Sequence, residues 1–161
     1  MREDQFGGFV ETLEVTPVKL SSLMSGFGEE QLRFKPDSDT FSLKENLLHL
    51  RDLEVEGYKD RIRLILVERL PILHDWDGKK LARLRRYQLA DASFALRQFI
   101  QAREGNLAYV RNMDGFQWKR KGLWNHNEVT LFQVVAQWAE HDLHHLREID
   151  ELLKRLQKPA V

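Results

Sequence analysis

The stretch Glu140-His141-Asp142-Leu143-His144-His145 places three imidazoles within six residues. On a helix, His141 and His145 stand one turn apart on the same face, whereas His144 points elsewhere. Two neutral imidazoles at that i, i+4 spacing can give their lone pairs to one divalent metal ion. Leu131, Val134, Val135, Trp138, Ile149, Leu152, Leu153 and Leu156 fall in the same arc as His141 and His145 at 100° per residue. Both imidazoles are therefore expected to point into a core. Burying two titratable rings is costly unless something uses their lone pairs. Spacing alone leaves two readings: a chelating pair, or core histidines bonded to nearby carbonyls.

A third ligand would come from His49, His74, His126 or His144. His74 and His126 fall in breaker-rich connections and are expected to face solvent. His49 borders Leu50 and Leu53 on one side, and Glu45, Asp52 and Glu56 on the other. Its periodicity fits a surface histidine among carboxylates at least as well as an inward one. Asp142 lies near the apolar arc beside His141. It is a candidate to orient a ligand or accept a proton, and equally a helix-surface carboxylate paired with a neighbouring base. Glu45 carries the same ambiguity, with helix capping as its first duty.

Four helical segments must position these groups. The first is expected over about residues 3–27, where Phe6, Val10, Leu13, Leu20, Met24 and Phe27 recur at helical spacing. Pro17 lacks an N–H and should kink or split it, and Gly26 and Gly28 end it. The second starts at Ser42, where Ser42-x-x-Glu45 reads as a capping box, and runs to about Leu70 before Pro71. Residues 71–90, with Asp77-Gly78, form a long connection with room for a short helix. The third runs from the N-cap Asp91 to about Met113, with Leu96, Phe99, Ile100, Leu107 and Val110 as its stripe. Residues 115–129, holding Trp118, Gly122 and Trp124, are expected to be irregular. The fourth opens on a second capping box, Thr130-x-x-Gln133, and runs to about Gln157, before Pro159. Period-two alternation is nearly absent, so the fold class is all-α, a four-helix bundle spanning residues 1–161 as one domain.

Composition narrows the functions. Lysine plus arginine equals aspartate plus glutamate, 25 against 25, without the basic excess that nucleic-acid binding usually requires. Apolar runs such as Leu64-Ile65-Leu66-Val67 are too short to span a bilayer. No apolar signal-peptide core follows Met1-Arg2-Glu3-Asp4. The chain has no cysteine, which fits a cytoplasmic setting and removes thiolates as nucleophiles or ligands. There is no phosphate-binding glycine loop and no nucleophile elbow.

The stretch Phe41-Ser42-Leu43-Lys44-Glu45-Asn46-Leu47-Leu48-His49-Leu50 resembles the W-S-x-x-E-x-x-x-H-L entry to the second helix of DinB-like proteins. Glu128-Val129-Thr130-Leu131, followed by His141-Asp142-x-His144-His145, is similar to their x-V-T-L…H-D-x-x-H fourth helix. The two motifs occur in the family's order, and the helix spacing agrees along nearly the whole chain. Phe41 departs from the usual tryptophan but stays aromatic. The resemblance implies a metal-binding bundle with His49, His141 and His145 as ligands to one divalent ion: Zn, Ni, Fe or Mn. Three imidazoles would leave open positions on that ion, as catalytic sites do, so that a bound water or thiol would be acidified or a carbonyl polarised. The superfamily includes bacillithiol transferases and mycothiol-dependent isomerases. The resemblance therefore implies transfer of a low-molecular-weight thiol to a small electrophile in detoxification or stress response. The alternative is a non-catalytic metal- or ligand-binding stress protein. A homodimer through helix faces is also compatible with the family.

Overall fold

A computed structural model describes residues 3–157, and the side chains from residue 7 onward. Phe6, as a side chain, and Pro159 lie outside the described residues. Four long helical segments form the bundle. The first is α1, Glu3–Gly26. The second is built of α3, Leu43–Asp52, a π-helical turn, Leu53–Tyr58, and α4, Lys59–Val67. The third is α6, Ala92–Arg111, and the fourth is α7, Leu131–Leu156. Short helices α2, Glu29–Arg33, and α5, Gly78–Leu84, fill the connections. α1 packs on α6 and α7, and α3 packs on the same two helices.

Both expected capping boxes are formed. Ser42 Oγ accepts from the Glu45 amide at 3.1 Å, and Glu45 Oε2 accepts from the Ser42 amide at 2.9 Å. Thr130 and Gln133 repeat the exchange at 3.2 and 2.8 Å. Each box satisfies two helix-end donors that have no intrahelical partner. Asp91 caps α6 by accepting from the Phe94 amide at 2.8 Å.

Pro17 does not split α1, which runs through it unbroken. The missing proline N–H would have bonded the Leu13 carbonyl, four residues earlier. Arg103 Nη1 donates to that carbonyl instead, at 2.6 Å. A guanidinium from α6 thus replaces the lost helix bond.

The second helical segment also departs from expectation. A π-helical turn interrupts it, and α4 stops at Val67 rather than Leu70. A π turn inserts one residue, which rotates everything beyond it by about 100° relative to a continuous α-helix. One 3.6-residue period therefore cannot describe the whole segment. The end at Val67 is held from outside: Arg120 donates to the carbonyls of Ile65 and Glu68, each at 2.6 Å.

Residues 115–129 are more regular than expected. β2, Lys121–Trp124, and β3, Asn127–Thr130, form an antiparallel hairpin, and β1, Ile72–Leu73, pairs in parallel with β2. Asn125 and His126, the two loop residues, have φ of 50° and 66°. Both central residues of a tight type I′ hairpin turn require positive φ. The strands are too short to show a sustained period of two.

The core divides into two apolar halves. Leu13, Tyr58, Ile62, Leu107, Val134 and Trp138 lie in one; Leu20, Leu47, Leu50, Phe99, Leu146 and Ile149 lie in the other. Along α1, α6 and α7 the changeover between halves is marked by buried polar residues: Thr16, Arg103 and Asp142. The candidate site sits at this level of the bundle.

Candidate metal centre

His141 and His145 lie one turn apart on α7, and His49 lies near the end of α3. His49 and His145 are each 6 % exposed. The Nε2 atoms of His49 and His141 are 3.1 Å apart, and those of His145 and His141 are 3.2 Å apart. Each of the three residues offers a nitrogen within 4.8 Å of the others. His49 is therefore inward, and the surface reading of its neighbourhood does not hold. α3 is enclosed by α2, α5, α6 and α7, so its acidic residues have partners of their own. Glu45 pairs with Lys35 at 2.9 Å, and Asp52 meets Arg85 at 2.7 Å and the Tyr87 hydroxyl at 2.5 Å. His74, His126 and His144 are exposed, as expected.

Burial pushes the His49 imidazole down to about 3 and His141 down to about 2, with the neighbouring His145 ring adding to both. Desolvation penalises the charged ring, and a like charge penalises it further. These two rings are neutral at neutral pH. Their lone pairs are then free for a cation, as metal coordination requires.

The donor set fits a divalent ion. Three nitrogens bound at about 2.1 Å in tetrahedral directions stand roughly 3.4 Å from one another. The observed 3.1 and 3.2 Å separations lie within a few tenths of an ångström of that. The nitrogens cannot satisfy one another, because a single N–H on His141 can serve only one neighbour. A cation at the centre satisfies all three.

The surrounding residues pack the rings closely. Phe41 lies 5.6 Å from the His49 ring and 6.4 Å from the His145 ring, centroid to centroid. Tyr58 meets the His141 ring edge-on at 5.9 Å. The backbone of Gly78 lies against His49: a Cβ there would come within 2.7 Å of Cε1 and 3.0 Å of Nδ1. Only glycine permits that approach. Asp77-Gly78 thus starts α5, with Asp77 accepting from the Lys80 amide at 2.9 Å, and closes over the site.

Asp142 is 1 % exposed, and its carboxylate is taken by Arg103 at 2.8 Å. Arg103 also meets Glu54 at 2.9 Å, with its guanidinium over Phe99 and Trp138 at 4.7 and 5.0 Å. Glu54 in turn accepts from Trp138 Nε1 at 3.1 Å and Asn106 Nδ2 at 2.8 Å. Burial pushes the Glu54 carboxyl up despite Arg103. Asp142 belongs to this buried ion cluster, which ties α7 to α6 immediately behind His141.

Sequence reasoning missed three residues here: Gly78, Asn46 and Glu148. Glu148 follows His145 by three residues, a helical neighbour that spacing alone could have flagged. Asn46 and Gly78 contact histidines of distant segments or another helix, and local spacing carries no signal of that.

The family model of the DinB superfamily matches residues 12–149. The chain belongs to the DinB superfamily. Two curated relatives carry the provisional name of metal-dependent hydrolase. One, from Oceanobacillus iheyensis, is 25 % identical over 151 residues, covering 91 % of this chain and 85 % of the relative. The other, from Bacillus licheniformis, is 26 % identical over 156 residues, covering 96 % and 88 %. Among solved structures, YfiT from Bacillus subtilis superposes with a TM-score of 0.88 at 24 % identity, covering 99 % of this chain and 91 % of that one. It is described as having an unusual four-helix bundle topology. That fold is shared by this DinB-superfamily chain.

Proposed function

We propose that this DinB-superfamily protein is a metal-dependent enzyme in which His49, His141 and His145 hold one divalent ion, Zn, Ni, Fe or Mn. The observation that carries the reading is the convergence of the three Nε2 atoms at 3.1 and 3.2 Å. Such an ion would act as a Lewis acid toward a nucleophile or a carbonyl.

The chain's own residues hold and enclose the site. α3 and α7 present the ligands from two sides, Gly78 and Phe41 pack on the rings, and the Arg103–Asp142 pair fixes α7 behind them. Asp142 acts in this reading as a positioning residue. The finer proposal is transfer of a low-molecular-weight thiol to a small electrophile. With no cysteine in the chain, the thiol comes from outside. This part rests on the likeness of the two histidine motifs to the superfamily as a whole, which includes thiol-using members. Hydrolysis is the second reading, favoured by the names of the two curated relatives. A cytoplasmic setting accords with the cysteine-free sequence. Among the described residues no helix is long and apolar enough to cross a membrane.

The test is an activity panel. Protein loaded with each metal is given a set of small thiols with an electrophile and, separately, ester and amide substrates in water. Metal-dependent conjugation supports S-transfer. Metal-dependent cleavage without conjugation supports hydrolysis. A flat result in both arms contradicts the enzyme reading and leaves a non-catalytic metal-binding protein.

A further inference from the structure

The three imidazoles are not held alike. Among the described residues, the Nδ1 atoms of His49 and His141 are buried without a hydrogen-bond partner. His145 Nδ1 has two acceptors beside it: Asn46 Oδ1 at 2.7 Å and Glu148 Oε2 at 3.0 Å. The role of Asn46 is fixed from its other end. Asn46 is fully buried, and its Nδ2 donates to the Ser42 carbonyl at 3.1 Å. A backbone carbonyl can only accept, so the amide nitrogen must lie there and the amide oxygen must face His145. A carboxylate can likewise only accept. Asn46 Oδ1 takes the hydrogen bond and so demands a proton on His145 Nδ1, while Glu148 Oε2, itself buried without a hydrogen bond, sets a negative charge beside that proton. A neutral ring that carries its proton on Nδ1 has its lone pair on Nε2, the atom 3.2 Å from His141 Nε2.

We propose that Asn46 and Glu148 are positioning residues that lock His145 in the Nδ1–H tautomer and so present its Nε2 lone pair to the metal before the metal arrives. His145 is then the anchoring ligand of the site, and His49 and His141 select their tautomers only on binding. The anchoring part rests on the metal-centre reading above, but the tautomer does not. Ser42, which caps α3 through its side chain, orients the clamp through its carbonyl, so the start of α3 and the ligand on α7 form one hydrogen-bonded unit. Partners that orient a metal-bound histidine this way typically change metal affinity by about ten- to hundredfold when removed.

The experiment is a long-range proton–nitrogen correlation spectrum of the full chain, metal-free and labelled with nitrogen-15 histidine. It is paired with zinc titration of the wild type, Asn46→Ala, Glu148→Ala and the double variant. The expected wild-type spectrum shows His145 with a protonated Nδ1 and a bare Nε2. The double variant is expected to populate both tautomers at His145 and to bind zinc about ten- to hundredfold more weakly. Glu148 is partly exposed at 37 % of its side chain, so Glu148→Ala provides a folded variant even if Asn46→Ala destabilises α3. A wild-type His145 protonated on Nε2 overturns the proposal. So does a double variant that keeps the wild-type tautomer and the wild-type zinc affinity. If wild-type protein binds no zinc, the metal-centre reading fails, and with it the anchoring role, while the spectrum still decides the tautomer.

Discussion

Arg103 donates to the Asp142 carboxylate at 2.8 Å, one residue beyond His141 on α7. The same guanidinium meets Glu54 at 2.9 Å and supplies the Leu13 carbonyl with the bond that Pro17 cannot make. One side chain thus joins α1, the π-helical turn, α6 and α7 at the changeover between the two apolar halves of the core.

Replacing Arg103 strands two buried carboxylates and a helix carbonyl together. Arg103→Met is expected to lower the unfolding free energy by about 3–5 kcal/mol, the usual cost of breaking a buried ion pair from one side. Urea denaturation measures this. A loss below about 1 kcal/mol would mean that the cluster is solvated or easily rearranged.

Gly78→Ala separates stability from site geometry. The added Cβ meets the far end of the His49 ring at 2.7 Å rather than backbone, so the ring can swing away. The unfolding free energy should change by less than about 1 kcal/mol, alanine being the better helix former. Zinc affinity should fall by at least about tenfold, because the ring can no longer meet the other two. Calorimetric titration beside urea denaturation reads both quantities. Unchanged zinc affinity would show that His49 has room to spare.

Acid should destabilise the metal-free protein. His49 and His141 are held down at about 3 and about 2 in the folded state, against 6.5 in an unfolded chain. Between those limits the unfolded state binds more protons than the folded one, so stability rises with pH and is lost as pH falls below about 6.5. Each histidine contributes at most about 1.4 kcal/mol per pH unit. Urea midpoints at pH 7, 6 and 5 should fall steadily, and His141→Leu should flatten that slope. An equal slope in the variant would assign the acid sensitivity elsewhere.

A bound metal should stabilise the fold in proportion to its occupancy. An ion at a free concentration of about one hundred times its dissociation constant adds roughly 2.7 kcal/mol. Thermal unfolding with and without Zn²⁺ checks this. A chelator should return the protein to the metal-free midpoint. No shift at saturating metal would mean that the ion does not prefer the folded state.

Much of this architecture was legible in the sequence because it rests on local rules. The capping boxes at Ser42 and Thr130 and the arc of α7 depend only on spacing, and all three are present. The pair His141 and His145 was legible for the same reason. His49 was not, because α3 is enclosed by helices on several sides and the π-helical turn shifts the period beyond it. That α1 would run on through Pro17 was not legible, because the compensation comes from Arg103, far along the chain. The hairpin turn was missed because Asn125-His126 lacks the glycine that usually advertises positive φ. Asp142 shows the same limit: its position beside His141 was readable, and its partner on α6 was not.

The most direct test concerns His49, the ligand whose placement spacing left open. Tag-free wild-type protein is saturated with Zn²⁺, freed of excess and analysed for metal, beside His49→Ala and His145→Ala. The predicted result is about one ion per wild-type chain and less than about 0.1 in either variant, because a fitted site retains its ion and an incomplete one does not. Wild-type protein with less than about 0.1 equivalent, or a His49→Ala variant that retains a full ion, would contradict the three-histidine centre.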